Sequence, residues 1–199
     1  MTYIIMCAGL GTRWRNYLGI PKHLITINGE TLLERTTRLL KENGVVDYII
    51  TGSDERYKKY GTLIDQTNKD CEIDRFEEYP TDGYICYLYG DVYYTEEAMK
   101  TIVNTDADDI MFFGSDWEIF AIKVKNKDLF YTHKHAVKKS FLTGAINRCI
   151  GWEIYRSLHG IPFNEHLITE RYTKILDGTD DIDYPEDYEN FINRFTKNT

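Results

Sequence analysis

The chain has 199 residues and a formal net charge of −8, with 42% hydrophobic and 28% charged residues. This length suits one domain with a substantial core, and the negative charge excludes a general nucleic-acid binder, which needs a basic face. No apolar run reaches the roughly 20 residues of a membrane span, and the opening apolar run is too short for a signal peptide. We therefore expect no nucleic-acid partner and no membrane insertion.

The first quarter of the chain has the clearest signals for local structure. Residues 3–8 predict a buried parallel strand, because they are continuously apolar and end at a glycine. The following loop, residues 9–22, is longer than an ordinary turn between strand and helix, and loops of that size are often functional. After a short extended piece over 24–27, Thr31 and Glu34 form a capping box that starts a helix.

The remaining elements follow from apolar runs and helix caps. Strands are predicted over residues 45–50, 71–76, 84–89, 110–113 and 118–124, with a further extended piece over 174–176. Helices are predicted over 55–66, after Thr95, over 134–158 in two pieces broken near Gly144 or Gly151, and from Pro185. Alternating strands and helices indicate one α/β domain over residues 1–199, with three α/β/α layers around a mostly parallel mixed sheet.

The four cysteines are scattered and form no CxxC pair; they are Cys7, Cys71, Cys86 and Cys149. Three of them lie in apolar runs. Isolated cysteines of this kind are typical of reduced core thiols. The sequence therefore predicts free thiols and a cytoplasmic protein.

The most informative stretch joins the first strand to the long loop and contains two glycines and an arginine. Glycine lets the backbone approach a ligand and exposes successive N–H groups, and an arginine and a later lysine add positive charge for an anion. This predicts a triphosphate cradle at the C-terminal end of the first strand. Its predicted binding residues are Ala8, Gly9, Leu10, Gly11, Thr12, Arg13 and Lys22.

Two common phosphate-binding motifs do not fit this loop. A P-loop needs G-x-x-x-x-G-K-[ST], and no Gly-Lys pair follows Gly9 at that spacing. A dinucleotide fingerprint needs a third glycine where Trp14 stands. It also needs an acid at the end of the second strand, where Thr51 and Gly52 stand. Both motifs are disfavoured.

A third interpretation rests on a resemblance that covers the start, middle and end of the chain. The opening pattern Ala8-Gly9-x-Gly11-Thr12-Arg13, Pro21-Lys22-x-Leu24 and Asn28-Gly29-x-Thr31-Leu32-Leu33-Glu34-Arg35 resembles that of the nucleotidyltransferase family. The family's first metal-binding aspartate ends the fourth strand, where Asp91 stands here. A later acidic pattern is matched by Asp181-Ile182-Asp183-Tyr184-Pro185-Glu186-Asp187-Tyr188.

The resemblance implies a fold like that of nucleotide-diphospho-sugar transferases and a defined reaction. A phosphate oxygen of a small phosphorylated acceptor attacks the α-phosphorus of an NTP, and pyrophosphate leaves. Arg13 and Lys22 are the implied catalytic residues, with Arg13 holding the pyrophosphate and Lys22 reaching the α-phosphate. Asp91 and Asp183 are the implied ligands of Mg²⁺, which prefers oxygen donors. Asp183 has an alternative role as the cap of the last helix.

The pattern is most similar to phosphocholine-type cytidylyltransferases and their surface-polysaccharide relatives, so CTP is the preferred donor. Sugar-1-phosphate and molybdopterin nucleotidylyltransferases, which use other NTPs, are alternatives. The acceptor is expected to bind within residues 115–170. The strand ends carrying Thr51, Gly52, Thr81, Asp82 and Gly83 are expected to contact base or ribose, with ordinary loop roles as the alternative. The oligomeric state is open, and a homodimer is compatible with the sequence.

Two hypotheses from other classes compete. A glycosyltransferase can share this fold, but it normally has Asp-x-Asp after the strand, and the sequence here is Gly90-Asp91-Val92-Tyr93. It would also leave Arg13 and Lys22 unexplained. A catalytically silent nucleotide-binding regulator is disfavoured because the implied catalytic and metal-binding side chains are all present.

Overall fold

A computed structural model describes residues 1–66, 71–79 and 83–196. Eleven strands lie in this part of the chain: Thr2–Met6 (β1), Thr26–Ile27 (β2), Glu30–Thr31 (β3), Tyr48–Gly52 (β4), Thr62–Asp65 (β5), Ile85–Tyr89 (β6), Val92–Tyr93 (β7), Ile110–Gly114 (β8), Ile119–Val124 (β9), Tyr172–Lys174 (β10) and Asp180–Asp181 (β11). The α-helices are Leu32–Glu42 (α1), Glu96–Asn104 (α2), Lys127–Leu142 (α3), Gly151–His159 (α4) and Pro185–Thr196 (α5). None of the described helices is both long and apolar enough to cross a bilayer.

The central sheet has seven strands in the order β10-β8-β9-β6-β1-β4-β5. Strand β1 lies inside it, with Tyr3 opposite Tyr48 of β4 on one side and Cys86 of β6 on the other. Every neighbouring pair is parallel except the two made by β9, which runs antiparallel to β6 and β8. The predicted mostly parallel mixed sheet is confirmed.

The two faces of the sheet are covered by different helices, as the alternation of side chains along a strand requires. Ile4 of β1 belongs to a buried cluster that includes residues of α3 and α4. Its neighbour Ile5 belongs to a second cluster, which includes residues of α1 and α2. The predicted α/β/α layering is therefore confirmed. A smaller third cluster joins Trp14 and Ile182 to Phe191 of α5.

The predicted start of α1 is confirmed in detail. The Glu34 backbone N–H donates to Thr31 Oγ1 at 3.1 Å, and the Thr31 N–H donates to Glu34 Oε2 at 3.4 Å. This reciprocal pair satisfies two N–H groups that have no partner within the helix. The helix ends at Asn43, and Gly44 then takes a left-handed φ of 78°, which glycine adopts without steric cost.

Two predicted elements are wrong, and both lie between β4 and β6. Residues 55–66 form a short 3₁₀ turn, Glu55–Lys59, and then strand β5, because Thr62 to Asp65 find parallel partners along β4. Residues 71–76 are not a strand but contain the 3₁₀ turn Glu72–Arg75. For residues 62–65, pairing with β4 overrides the local preference for a helix.

The expectation of four free thiols is corrected by a disulfide between Cys71 and Cys149. The bond joins the Glu72–Arg75 turn to the segment between α3 and α4, across 78 positions of sequence. The Ile73 N–H also donates to the Cys149 carbonyl at 3.3 Å, so backbone contacts bring the same segments together. Cys7 and Cys86 are free and buried, as predicted.

A buried lysine closes the C-terminal end of α2. Lys123 of β9 donates from Nζ to the carbonyl oxygens of Val103 at 2.9 Å and Thr105 at 2.6 Å. Burial lowers the pKa of this ammonium group, yet its position complements the negative end of the helix dipole. The contact holds α2 against the sheet.

We expect Lys123→Met to lower the free energy of unfolding by about 1–3 kcal/mol, because the two carbonyl oxygens lose their donor. Urea denaturation measures this change. Lys100→Met on the exposed side of α2 is the matched control, with an expected change within about 0.5 kcal/mol. Equal stability of Lys123→Met and wild type would show that these hydrogen bonds contribute nothing net.

Candidate active site

A cleft of about 580 Å³ opens at the C-terminal ends of β1 and β6. Two groups of segments line it, which we call its two walls: the first is the glycine loop with the acidic segments that follow β6 and β11, and the second is the disulfide-linked segments with the start of β9. Its charged lining residues are Arg13, Lys22, Glu72, Arg75, Asp91, Glu118, Arg148, Asp181 and Asp183. The cleft therefore gathers both signs of charge at the sheet edge where ligands of α/β proteins bind.

A buried tryptophan, Trp14, fixes the position of the glycine loop. Gly11 has a left-handed φ of 63°, which favours glycine, and its carbonyl accepts from the Arg15 N–H at 3.1 Å. Trp14 is buried, and its Nε1–H donates to the Ile20 carbonyl at 2.8 Å. Trp14, which stands where a dinucleotide fingerprint would have a glycine, thus fixes the loop to the small cluster that contains Ile182 and Phe191. Gly9, Leu10, Gly11, Thr12 and Arg13 all line the cleft.

Lys22 is the centre of the charged wall. Its Nζ lies 2.5 Å from Asp91 Oδ2 and 2.9 Å from Asp183 Oδ1. Burial opposes the charged form, but the two carboxylates outweigh it and raise the pKa of Lys22. Burial likewise opposes ionisation of Asp91, and Lys22 brings the pKa of that carboxyl down to about 2. Lys22 and Asp91 are therefore both charged at neutral pH.

A small antiparallel pair of strands brings the two aspartates together from distant parts of the sequence. Asp181 of β11 lies opposite Val92 of β7. The Ile182 N–H donates to the Asp91 carbonyl at 3.0 Å. This pairing sets Asp183 beside Asp91, although they are 92 positions apart in the chain.

The side chain of Asp183 points to the cleft and does not cap the last helix. It contacts the guanidinium of Arg13 as well as Lys22. The cap is Asp187, whose Oδ2 accepts from the backbone N–H groups of Asp183 at 3.1 Å and Tyr184 at 2.7 Å. Of the two roles that the sequence left open for Asp183, the structure excludes side-chain capping.

The acidic side chains have the donor chemistry of a divalent-cation site. Within the described residues, no group of three or more His, Cys, Asp or Glu side chains is arranged as a ready-made metal site. The Lys22 ammonium nevertheless lies between the carboxylates of Asp91 and Asp183, in the position that a bound metal ion would take. Asp181 also lines the cleft, and burial, then repulsion from Glu118 and Asp183, raises the pKa of its carboxyl. Oxygen donors of this kind fit Mg²⁺.

The second wall includes part of the segment predicted to bind the acceptor. Trp117, Glu118, Arg148 and Trp152 line the cleft within residues 115–170. Trp117 is 69% exposed and stacks on His166 with ring centroids 4.6 Å apart. Burial, and then the charges of Asp183 and Glu72, raise the pKa of Glu118 to about 7. This wall offers an aromatic face beside charged groups.

Several predicted nucleotide-binding residues lie away from the cleft. Ala8 and Thr51 are fully buried in the sheet. Gly52 is also buried, and a Cβ there would lie 2.9 Å from the Tyr57 ring. These three residues support the floor beneath the loop, since the Cys7 N–H donates to the Thr51 carbonyl at 2.8 Å.

The expectation for Gly83 is corrected. Gly83 precedes β6 and lies beside Met1, at the N-terminal edge of the parallel strands, whereas the cleft is at their C-terminal edge. A loop before a strand and a loop after it fall at opposite edges of the sheet, which explains the error. Thr81 and Asp82 lie outside the described residues.

Two cleft residues were missed by reading the sequence, namely Glu72 and Arg75. Both lie on the 3₁₀ turn that was predicted as a strand. Glu72 accepts hydrogen bonds from the Tyr89 hydroxyl at 2.6 Å and the Gly151 N–H at 2.8 Å. Arg75 lies over Gly9. Their spacing forms no known motif, so only the three-dimensional arrangement identifies them.

No protein-family model matches the chain. Among curated proteins, 70 residues are 39% identical to the "Bifunctional IPC transferase and DIPP synthase" of Thermococcus kodakarensis. That match covers 35% of this chain and only 16% of the curated relative.

Solved structures of nucleotidyltransferases align with nearly the whole chain. The inositol-1-phosphate CTP transferase from T. maritima aligns with a TM-score of 0.65 at 14% identity, over 97% of this chain and 95% of that one. The CTP:phosphocholine cytidylyltransferase from Streptococcus pneumoniae gives 0.59 at 16% identity, over 98% of each chain. The nucleoside-diphosphate-sugar pyrophosphorylase from Vibrio cholerae RC9 gives 0.64 at 13% identity, over 97% of this chain and all of that one. At these identities the likeness confirms the predicted fold.

Proposed function

We propose that this chain is a nucleotidyltransferase that joins the NMP of an NTP, preferably CTP, to a small phosphorylated acceptor and releases pyrophosphate. The observation that carries the proposal is the placement of the Lys22 ammonium between Asp91 and Asp183, beside the glycine loop. A triphosphate needs cations for its oxygens, and its metal ion needs carboxylates. Both are present in one cleft.

In the proposed reaction a phosphate oxygen of the acceptor attacks the α-phosphorus in line, and the bond to the β-phosphate breaks. The acceptor phosphate is already largely dianionic near neutral pH, since its second pKa is about 6. No proton therefore has to be removed, and the cleft needs no general base. Catalysis then comes from alignment and charge neutralisation.

Each charged side chain of the first wall has a role in this proposal. Lys22, which is buried, would contact the α-phosphate. Arg13, whose side chain is 54% exposed at the rim, would contact the departing pyrophosphate. Asp91 and Asp183 would hold Mg²⁺, which supplies charge neutralisation and alignment of phosphate oxygens. Lys22 and Arg13 exchange their carboxylate partners for phosphate oxygens when the nucleotide binds.

The choice of CTP and of the acceptor rests on relatives. Two of the aligned structures are described as using CTP, one with inositol-1-phosphate and one with phosphocholine, and the third is a nucleoside-diphosphate-sugar pyrophosphorylase. We therefore place the acceptor among small phosphorylated alcohols and sugars, as in precursor synthesis for surface polysaccharides or lipids. Its proposed subsite is the wall formed by Trp117, Glu118 and Arg148.

A glycosyltransferase is the main alternative, and one observation counts against it. The acid that joins Asp91 in the cleft is Asp183, delivered by the β7–β11 pairing, and not a neighbour in an Asp-x-Asp motif. Lys22 and Arg13 also suit a triphosphate better than a nucleotide sugar, because more phosphate charge has to be neutralised.

The test is pyrophosphate release from each of four NTPs with MgCl₂ and a panel of phosphorylated acceptors. We expect acceptor-dependent release, fastest with CTP. Consumption of a nucleotide sugar without pyrophosphate release from any NTP would favour the glycosyltransferase instead.

A further inference from the structure

Arg75 differs from Arg13, Lys22 and Arg148 of the cleft in making no ion pair within the described residues. Arg13 and Lys22 pair with aspartates, and Arg148 lies 3.2 Å from a Glu153 carboxylate. In the described part of the chain, no carboxylate oxygen lies within the 4.0 Å ion-pair distance of Arg75. Its positive charge is therefore open to a ligand in the cleft.

The Nε–H of the Arg75 guanidinium is also withdrawn from water. Its Nε has no contact with solvent and no hydrogen-bond partner. The planar group lies against the glycine loop, because a Cβ on Gly9 would be 3.3 Å from Nη2 and 3.4 Å from Cζ. A buried N–H donor without a hydrogen-bond partner is unfavourable unless a ligand supplies the acceptor. A phosphate oxygen is the anion that this loop is built to receive.

The backbone that carries Arg75 is firmly anchored. The disulfide ties Cys71 to Cys149, and the Glu72 carboxylate bonds to Tyr89 and Gly151. Two lysines of α3 hold the same turn from behind: Lys138 Nζ lies 2.5 Å from Asp74 Oδ2, and Lys134 Nζ donates to the Phe76 carbonyl at 2.5 Å. The turn is thus fixed by contacts on either side of the arginine, whose own side chain takes part in none of them. A pre-positioned cation binds a ligand with little further loss of entropy.

We infer that Arg75 binds a phosphate group of the nucleotide beside the glycine loop, where its guanidinium packs against Gly9. The inference rests on the proposed function and adds a phosphate ligand from a part of the chain that carries no recognised motif. We assign Arg75 to a phosphate of the nucleotide because its guanidinium packs on the glycine loop.

The assignment is tested by measuring ligand binding to the variant Arg75→Gln and to two further variants, Arg75→Lys and Gly9→Ala. The probes are inorganic pyrophosphate and the NTP that wild type binds most tightly, each titrated calorimetrically with MgCl₂. Loss of one charge-assisted hydrogen-bonding group should weaken both probes about 10- to 100-fold in Arg75→Gln. Arg75→Lys should recover part of the affinity, because it keeps the charge and loses the planar fork.

Gly9→Ala keeps Arg75 and should weaken both probes less than Arg75→Gln does, because the guanidinium has to shift by only a few tenths of an ångström to accommodate the added methyl group. Arg56→Gln is the matched control, because Arg56 pairs with Asp54 away from the cleft. The melting temperature of Arg75→Gln should stay near that of wild type. The affinity of Arg56→Gln and the melting temperature of Arg75→Gln together distinguish a loss of ligand binding from a loss of folding.

Wild-type affinity of Arg75→Gln for both probes would overturn the assignment. Unchanged affinity of Arg75→Gln for both probes together with a raised KM for the acceptor would also overturn the assignment. That result would indicate that Arg75 binds the acceptor phosphate. Wild type that binds neither pyrophosphate nor any NTP would instead overturn the proposed function itself. The failure of the two proposals is therefore distinguishable.

Discussion

Lys22→Ala is expected to lower kcat/KM for the NTP by about 10²- to 10³-fold, comparable to removing one preorganised donor from a transition state. The physical reason is that Lys22 is the buried cation closest to both aspartates, where charge moves when pyrophosphate departs. Steady-state pyrophosphate release at saturating acceptor measures the effect. Lys58→Ala is the control, because Lys58 is exposed and pairs with Glu55 in the Glu55–Lys59 turn. A near wild-type rate in Lys22→Ala would contradict the proposed role.

The same variant offers a readout that does not depend on turnover. Without the ammonium group, Asp91 and Asp183 lose the cation that they share, and Arg13 pairs only with Asp183, so the folded state should gain more from a divalent cation. MgCl₂ without nucleotide should therefore raise the melting temperature of Lys22→Ala more than that of wild type. Equal shifts in the two proteins would argue against these carboxylates as the Mg²⁺ ligands.

Removing the disulfide should have the largest effect on stability. We expect Cys71→Ser with Cys149→Ser to lower the free energy of unfolding by about 2–5 kcal/mol, because the bond closes a long loop in the unfolded chain. Its ends are 78 positions apart. Urea denaturation of the double variant, and of wild type with and without reductant, measures the loss. Reductant should have little effect on the double variant.

A thiol count checks the pairing independently. The four cysteines should give two reactive thiols in denatured, unreduced protein, from Cys7 and Cys86, and four after reduction. Four thiols before reduction would restore the original expectation from the sequence. Because the bond also anchors the Arg75 turn, the double variant should bind pyrophosphate more weakly than wild type.

The sequence was sufficient where local rules and a parallel sheet determine position. The capping box of Thr31 and Glu34 forms as predicted because both partners lie within one helical turn. Lys22 and Asp91 meet because the loops after β1 and β6 leave adjacent parallel strands at the same edge. Asp183 was found from its acidic pattern, and its contact with Lys22 required the β7–β11 pairing.

The sequence was insufficient where distant segments decide the outcome. Residues 71–76 were predicted as a strand and include the apolar Ile73 and Phe76, but Cys149 and Gly151 hold this segment as a turn from about 80 residues away. Arg75 therefore had no recognisable signal. Gly83 was assigned to the wrong edge because its loop precedes a strand, a distinction that residue type does not reveal.

The central claim is that the NTP is cleaved between its α- and β-phosphates with transfer to a phosphorylated acceptor. Parallel reactions with α-labelled and γ-labelled CTP test it most directly, with MgCl₂ and the acceptor that gives the most pyrophosphate. We predict that the α-label appears in the acceptor conjugate and the γ-label in pyrophosphate, in equal amounts. Appearance of the α-label in free CMP or CDP, or of the γ-label on the acceptor, would contradict the account.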